Sequence, residues 1–281
     1  MTIKQGIFWA REELMSSCER PLLEAELLLS YHLQKERVYL HMHEHDKIEN
    51  VKAFGLLVAR RAMHEPYEYI AGKASFYDIE LFVEQGVLIP RPETELLIDH
   101  ASKIIKKKQI TRLVEIGVGS GAISIVLARK FPELQIIATD ICDTPLKVAA
   151  RNIKHFGLQK QITLLKSNLM DEIKEDIEFV ISNPPYIADN FALEPNVANY
   201  EPKEALFGGK AGDELLKQIV VDASNRGVNY LACEMGYDQK SSLQVFANEI
   251  GVKYIDFYQD LSGWDRGFII HFNKENNEQI F

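Results

Sequence analysis

The sequence predicts an α/β protein: a doubly wound, mostly parallel sheet, preceded by a small helical domain and a β-hairpin linker. Three observations carry this. Up to about residue 72, apolar residues recur at helical spacing with no strand-like alternation. After Thr111, short apolar runs alternate with amphipathic segments. Between them lies a stretch punctuated by Pro66 and Gly72 and followed by apolar Phe76, Ile79, Leu81 and Val83. Apolar strands alternating with helices imply a parallel sheet covered on both faces.

Each element follows in order. In RPLLEAELLLSYHL, Leu22, Ala25, Leu29 and Leu33 share a helix face. Val51, Phe54, Leu57 and Val58 repeat the pattern in NVKAFGLLVARRAM, where Arg60 and Arg61 suit the carboxyl end of a helix. These segments define a helical domain over residues 1–72. Phe76, Ile79, Leu81 and Val83 mark a hairpin arm in ASFYDIELFV, expected to turn near EQG, within a linker over 73–92. VLIPRPETELLIDHA passes through two prolines into a helix with Thr94 as its expected N-cap. The main domain is set at 93–281. Its strands are expected at RLVEI, LQIIATD, ITLLK, IEFVIS, VNYLACE, VKYIDFYQ and GFIIHF, with helices such as SGAISIVLARKF and TPLKVAARNIKHFG between them. The tail NKENNEQIF is expected to fray.

Composition narrows the function. The formal net charge of −9 argues against nucleic acid as the main partner, because phosphate binding draws on basic surface. Cys18, Cys142 and Cys233 are far apart and share no metal-like spacing, so they read as reduced thiols. MTIKQGIFWAREEL lacks the apolar core of a signal peptide, and no apolar run approaches a membrane span. A cytoplasmic protein is expected.

LVEIGVGSGAISIVL carries Gly117, Gly119 and Gly121 between a strand and a helix. Glycines let backbone turn tightly and approach a ligand, and the helix start offers free N–H groups. An ordinary strand-to-helix turn needs one or two glycines, so three at alternate positions favour a ligand site. The next strand ends in Asp140, where nucleotide-binding sheets hold ribose hydroxyls. Asp140 could instead cap the following helix, unless Asp143 or Thr144 does so. A nicotinamide cofactor is one reading of this pair of features. The spacing, however, is G-x-G-x-G rather than the G-x-G-x-x-G of pyrophosphate binders. That departure favours a ligand without phosphates at the turn, and S-adenosylmethionine fits.

EFVISNPPYIADN ends an apolar strand with Asn183, Pro184, Pro185 and Tyr186. The prolines stop the strand and stiffen the loop, and Asn183 is pushed towards an extended conformation. Such a loop can present the Asn183 side chain and the Pro184 carbonyl as acceptors for an NH2 group, with Tyr186 stacked on a planar amide. The competing reading is an ordinary proline turn. It is disfavoured because the glycine turn and Asp140 come at the expected distances before it.

In order, IPRPETE, EIGVGSG, TD, NPPY and YEPKEALFGG resemble one family, the peptide chain release factor N(5)-glutamine methyltransferases. These are class I S-adenosylmethionine-dependent enzymes with a seven-stranded sheet. The resemblance runs from about Pro66 to Phe272. It implies methyl transfer from S-adenosylmethionine to the glutamine of the Gly-Gly-Gln motif in class-1 release factors, by a monomer whose residues 1–72 help to dock that partner. It implies Asn183, Pro184 and Tyr186 as catalytic and Pro185 as a further substrate contact. It places the cofactor against Glu115, Gly117, Val118, Gly119, Ser120, Gly121, Asp140, Ile141, Asn168, Leu169 and Asn183. Asn168 stands where the family usually has an acid near the adenine amine. Glu115 reads equally as a contact for the methionine end or as a cap on the turn. Arg91 and Glu93 read equally as a lid over the cofactor or as a salt-bridged helix entry. The rivals are a ribosomal-protein glutamine methyltransferase, an adenine or cytosine amino-methyltransferase, and a non-catalytic adenosine-binding module. His41, His43 and His45 in HMHEH alternate like metal ligands but lack a fourth partner, so a solvated loop is expected and no metal. KIIKKK reads as the basic end of a helix.

Overall fold

The computed structural model describes residues 1–272 of the 281-residue chain; the expected fraying of NKENNEQIF lies outside them. The chain divides into two compact units, one of residues 1–73 with 193–200, the other of residues 74–192 with the chain from Glu201 on.

The first unit is helical: α1 (Ile3–Leu14), α2 (Pro21–Leu33), α3 (Arg37–Met42), α4 (Val51–Ala62) and α5 (Tyr67–Ala71). Local chemistry sets the starts. Thr2 and Gln5 form a reciprocal capping box on α1, Pro21 opens α2, and the Asn50 side chain caps α4 through Ala53 N. Ala25, Leu28, Leu29, Phe54 and Val58 are buried in one cluster. Leu22, expected on that face, is 50% exposed, and Leu28 takes its place. Arg61 spans from α4 to Glu24 on α2 with bonds of 2.9 and 3.3 Å. The histidines of HMHEH each meet an acid: His41 lies 3.6 Å from Glu26, His43 is 2.9 Å from Asp46 and His45 is 3.2 Å from Glu44.

The second unit begins at Ala74, within the hairpin β1 (Lys73–Phe76) and β2 (Ile79–Phe82). It turns at Tyr77 and Asp78, not near EQG. Tyr77 has φ of +53°, a conformation disfavoured for a bulky residue. It is held there because its N–H donates to Glu95 at 2.9 Å and its hydroxyl to Asp99. Phe76, Ile79 and Leu81 are buried in this unit's core, so the segment is packed rather than free.

Next come α6 (Thr94–Lys108), β3 (Arg112–Ile116), α7 (Ala122–Lys130), β4 (Gln135–Asp140), α8 (Asp143–His155), β5 (Ile162–Lys166), β6 (Phe179–Ser182) and β7 (Ile187–Ala188). Between β7 and β8 (Phe207–Gly209) lies α9 (Pro195–Ala198), in the segment that belongs to the first unit. Then follow α10 (Glu214–Asn225), β9 (Tyr230–Glu234), α11 (Lys240–Glu249), β10 (Tyr254–Gln259) and β11 (Asp265–His271). Among the described residues the main sheet has seven strands, in the order β10-β11-β9-β6-β3-β4-β5. β11 runs antiparallel to its neighbours; the other pairs are parallel.

Side chains alternate across each strand. Leu113, Phe179 and Ile181 enter a cluster with Leu97 of α6, Ile123 of α7 and Ile153 of α8. Val114, Ile116 and Val180 enter the opposite cluster with Ile219 of α10 and Leu243 of α11. Both faces are therefore dry, and ligand access is left to the strand ends. Among the described residues, no helix is long and apolar enough to cross a membrane.

Candidate active site

The carboxyl ends of β5, β4, β3, β6 and β9 stand in a row, and each supplies one part of a site. β3 and β6 are neighbours at the point where the strand order reverses, where doubly wound sheets open a crevice. Ile116 faces Ser182, and the Ser182 hydroxyl donates to the Ile116 carbonyl at 2.8 Å. Gly117 follows the one and Asn183 the other, so sheet register pairs the glycine turn with NPPY.

The N–H groups of Gly117 and Val118 both donate to the Thr139 carbonyl at 2.9 Å, curling the turn over the end of β4. Gly117 and Gly119 have φ of +77° and +54°, where a side chain would be strained. A Cβ at either would meet no protein atom within 4 Å, so the turn leaves open space beside it. Gly121 differs. It is the N-cap of α7, a Cβ there would meet Ile125 Cδ1 at 3.2 Å and Ala149 Cβ at 3.5 Å, and it does not line the cavity. Helix packing explains this glycine.

A glycine N-cap offers no side chain to the free N–H groups of α7. Glu115 fills that role from β3: its carboxylate accepts from Ser124 N at 3.0 Å and from the Ser124 hydroxyl. Burial pushes its pKa up to about 8. Glu115 is also among the residues that line the cavity. Asp140 accepts from Gly119 N at 3.2 Å and from Cys142 N at 2.9 Å, and burial raises its pKa. No side chain caps α8: its N-cap is Cys142, and Asp143 instead pairs with Lys166 at 2.8 Å. Asn168 donates through Nδ2 to Asp171 at 3.1 Å, which leaves its oxygen as an acceptor. Leu169 follows, buried, with φ of +47°.

The ends of β3, β4, β5 and β6 border a cavity of about 540 Å³, a size typical of small-molecule sites. Of the candidate site residues read from the sequence, Glu115, Gly117, Val118, Gly119, Ser120, Asp140, Ile141, Asn168, Leu169, Asn183, Pro184, Pro185 and Arg91 line it, and so does Thr94. Tyr186 does not. Its ring packs on an apolar cluster, its hydroxyl donates to Glu234 at 2.9 Å, and its carbonyl accepts from Gln239 at 2.8 Å. The geometry gives Tyr186 an anchoring contact, not a wall of the cavity. Glu93, also outside the lining, is the N-cap of α6. Arg91 pairs with Glu201, whose other oxygen accepts from Ile89 N at 3.2 Å. That is the salt-bridged entry to α6, and it joins PRPETE to YEPKEALFGG.

Three residues went unassigned in the sequence or were assigned otherwise. Thr94 is the first residue of α6 rather than its N-cap, and its hydroxyl donates to Glu234 at 2.7 Å. Glu234 is a buried acid at the end of an apolar strand, which is the signal that could have marked it. Gly208 packs against the Pro185 carbonyl.

Comparison with known proteins fits this picture. The methyltransferase small domain matches residues 92–201 and the PrmC N-terminal domain residues 7–72. The catalytic domain of hMettl16, solved with a MAT2A 3'UTR hairpin, has a TM-score of 0.59 at 17% identity, over 70% of this chain and 77% of that one. The N-terminal domain of human METTL16 has a TM-score of 0.55 at 16% identity, over 88% and 94%. Fold and strand-end cavity together define a class I α/β methyltransferase. Its curated relatives are nearer in sequence. The release factor glutamine methyltransferase of Dictyoglomus turgidum is 36% identical over 94% of this chain and 96% of that protein. That of Clostridium botulinum is 36% identical over 87% and 89%. The chain belongs to the release factor glutamine methyltransferase family.

Proposed function

We propose that this protein methylates the side-chain amide nitrogen of the glutamine in the Gly-Gly-Gln motif of class-1 release factors, with S-adenosylmethionine as donor. One observation carries the reading: the glycine turn and Asn183–Pro184 are register neighbours on a single cavity. No described residue donates to Asn183 Oδ1 or to the Pro184 carbonyl, so both acceptors are available to an incoming NH2 group.

The cavity's residues suit the cofactor. A carboxylate has about four lone-pair sites, and backbone N–H groups occupy one on each Asp140 oxygen. The remainder match a pair of ribose hydroxyls. Asn168 Oδ1 can accept from an exocyclic amine, and Val118, Ile141 and Leu169 offer apolar surface to a base. Glycines without Cβ let the rest of the ligand lie close to the start of α7.

When bound, S-adenosylmethionine supplies an electrophilic methyl carbon on a positively charged sulfur. An amide nitrogen is a weak nucleophile because its lone pair is delocalised. Asn183 Oδ1 and the Pro184 carbonyl would grip its two hydrogens, orienting the nitrogen and favouring its pyramidal form. Held so, the nitrogen would take the methyl group as the C–S bond gave its electron pair to sulfur, and would then lose a proton to water. No strong base is required, because the nitrogen is acidic once alkylated. Such alignment can be worth roughly 7–11 kcal/mol. The helical first unit would dock the protein substrate; exposed Phe8, Met42 and Leu56 support this.

Purified protein, labelled S-adenosylmethionine, a release factor, ribosomal proteins and RNA test the reading in one mixture. Label on the release-factor glutamine is expected; label on RNA, on a ribosomal protein, or on nothing refutes it. The cofactor assignment has its own check. Asp140→Ala removes charge-assisted hydrogen bonds worth about 1.5–3 kcal/mol each. Calorimetry should show S-adenosylhomocysteine binding weakened on the order of a hundredfold. Unchanged affinity would place the ribose elsewhere.

A further inference from the structure

Behind the gripping loop runs a buried chain of hydrogen bonds. Glu234 is 1% exposed, and its oxygens accept from two hydroxyls, Thr94 at 2.7 Å and Tyr186 at 2.9 Å. Thr94, 4% exposed, meets Asn183 Nδ2 at 2.9 Å.

Proton counting dictates the direction of these bonds. A carboxylate has no proton to give, and a threonine hydroxyl has one. Spent on Glu234, that proton leaves Thr94 able only to accept from Asn183. The Asn183 amide must then turn its NH2 towards Thr94 and its oxygen away. The reversed amide would set two acceptors face to face, an unmade buried bond.

We propose that Thr94 and Glu234 are positioning residues that hold the Asn183 amide one way round, so that its oxygen and not its NH2 faces the amide being methylated. This rests on the glutamine methyltransferase reading. A reversed Asn183 would present donors to the substrate's donors, and the grip would be lost. Glu234 lies outside the cavity lining and Thr94 borders it, and both act through Asn183. Tyr186, on the second oxygen of Glu234, fixes the same carboxylate from the far end of the loop.

The chain has a pH signature. Protonated Glu234 can donate to Thr94, whose own proton is then free to point at Asn183, and the direction of the relay is no longer fixed. Burial pushes the Glu234 pKa up to about 7; Glu93 adds to the rise, and Arg266 with the Thr94 and Tyr186 hydroxyls opposes it. Tyr258 of β10 faces the same group. The ionised form is the ordering form, so kcat should be full above that pH and fall as pH drops through it.

The test compares Thr94→Val, Thr94→Ser and Glu234→Gln. Thr94→Val should lower kcat on the order of tenfold, leaving KM for the release factor and S-adenosylhomocysteine affinity unchanged. Thr94→Ser should restore kcat. Glu234→Gln should lower kcat and abolish the acid limb of its pH profile. A readout independent of turnover is the side-chain NH2 resonance of Asn183 in isotope-labelled protein, assigned by its loss in Asn183→Asp. The proton bonded to Thr94 should be shifted downfield in wild type and Thr94→Ser, and not in Thr94→Val. Wild-type kcat or an unmoved resonance in Thr94→Val overturns the proposal. If Thr94→Val fails to fold, an acid limb retained by Glu234→Gln overturns it instead. If the wild-type protein methylates no glutamine, the functional reading fails by itself, and the resonance still decides the amide's orientation.

Discussion

Asn183→Ala is expected to lose methyl transfer almost completely while still binding S-adenosylhomocysteine. The substitution deletes one of the two acceptors proposed to hold the reacting nitrogen. Removing a single preorganised hydrogen-bonding group from an active site typically costs about 10²–10³ in kcat. Stability should change little, because the side chain's described hydrogen bond is the one to Thr94 at 2.9 Å, worth about 1 kcal/mol. Cofactor affinity should also hold, since Asp140, Asn168 and the glycine turn are untouched. The informative result is therefore the split. A variant that binds as tightly and turns over as fast as wild type removes Asn183 from the chemistry.

The second large effect is expected at a residue outside the cavity lining. Gly208 lies on β8, which pairs with β7 directly after NPPY: Ile187 faces Phe207, and Asp189 N donates to the Gly209 carbonyl at 2.9 Å. A Cβ on Gly208 would stand 2.4 Å from the Gly212 carbonyl oxygen, 2.5 Å from that of Pro185 and 3.0 Å from Tyr186 Cα. All three are backbone atoms, so no flexible side chain can yield, and the proline loop itself must shift. Gly208→Ala should cost about 1–3 kcal/mol of stability, a fall of several degrees in Tm. Displacing the acceptors by about 1 Å should lower kcat on the order of a hundredfold. S-adenosylhomocysteine affinity should survive, because the residues proposed to hold it follow β3, β4 and β5. Wild-type melting and turnover together would show that FGG is not packed on the loop as described.

Much of this was legible in the sequence because it is local. The short apolar runs between helical segments marked the strands, and Val114 and Leu113 part to opposite faces. The glycine turn, Asp140 and the proline loop were readable because each follows a strand, and strand ends are where such sheets bind ligands. What escaped the sequence depends on distant partners. Tyr77 takes a turn conformation that normally asks for glycine because Glu95 and Asp99 hold it, so the hairpin turned earlier than Gly86 suggested. Thr94 looked like a helix cap but is claimed by Glu234 on a strand far along the chain. Gly121 read as part of the ligand turn, while its space is taken by Ile125 and Ala149. Tyr186 read as a stacking surface, yet the pull of buried Glu234 on its hydroxyl turned it into an anchor.

Two oxygen acceptors are proposed to hold a glutamine amide at the mouth of the cofactor site. A crystal structure with S-adenosylhomocysteine and a Gly-Gly-Gln peptide tests this most directly. The expected result is a glutamine nitrogen about 3 Å from both Asn183 Oδ1 and the Pro184 carbonyl, facing the sulfur. A glutamine bound away from that loop, or an Asn183 whose NH2 points at the peptide, would contradict it.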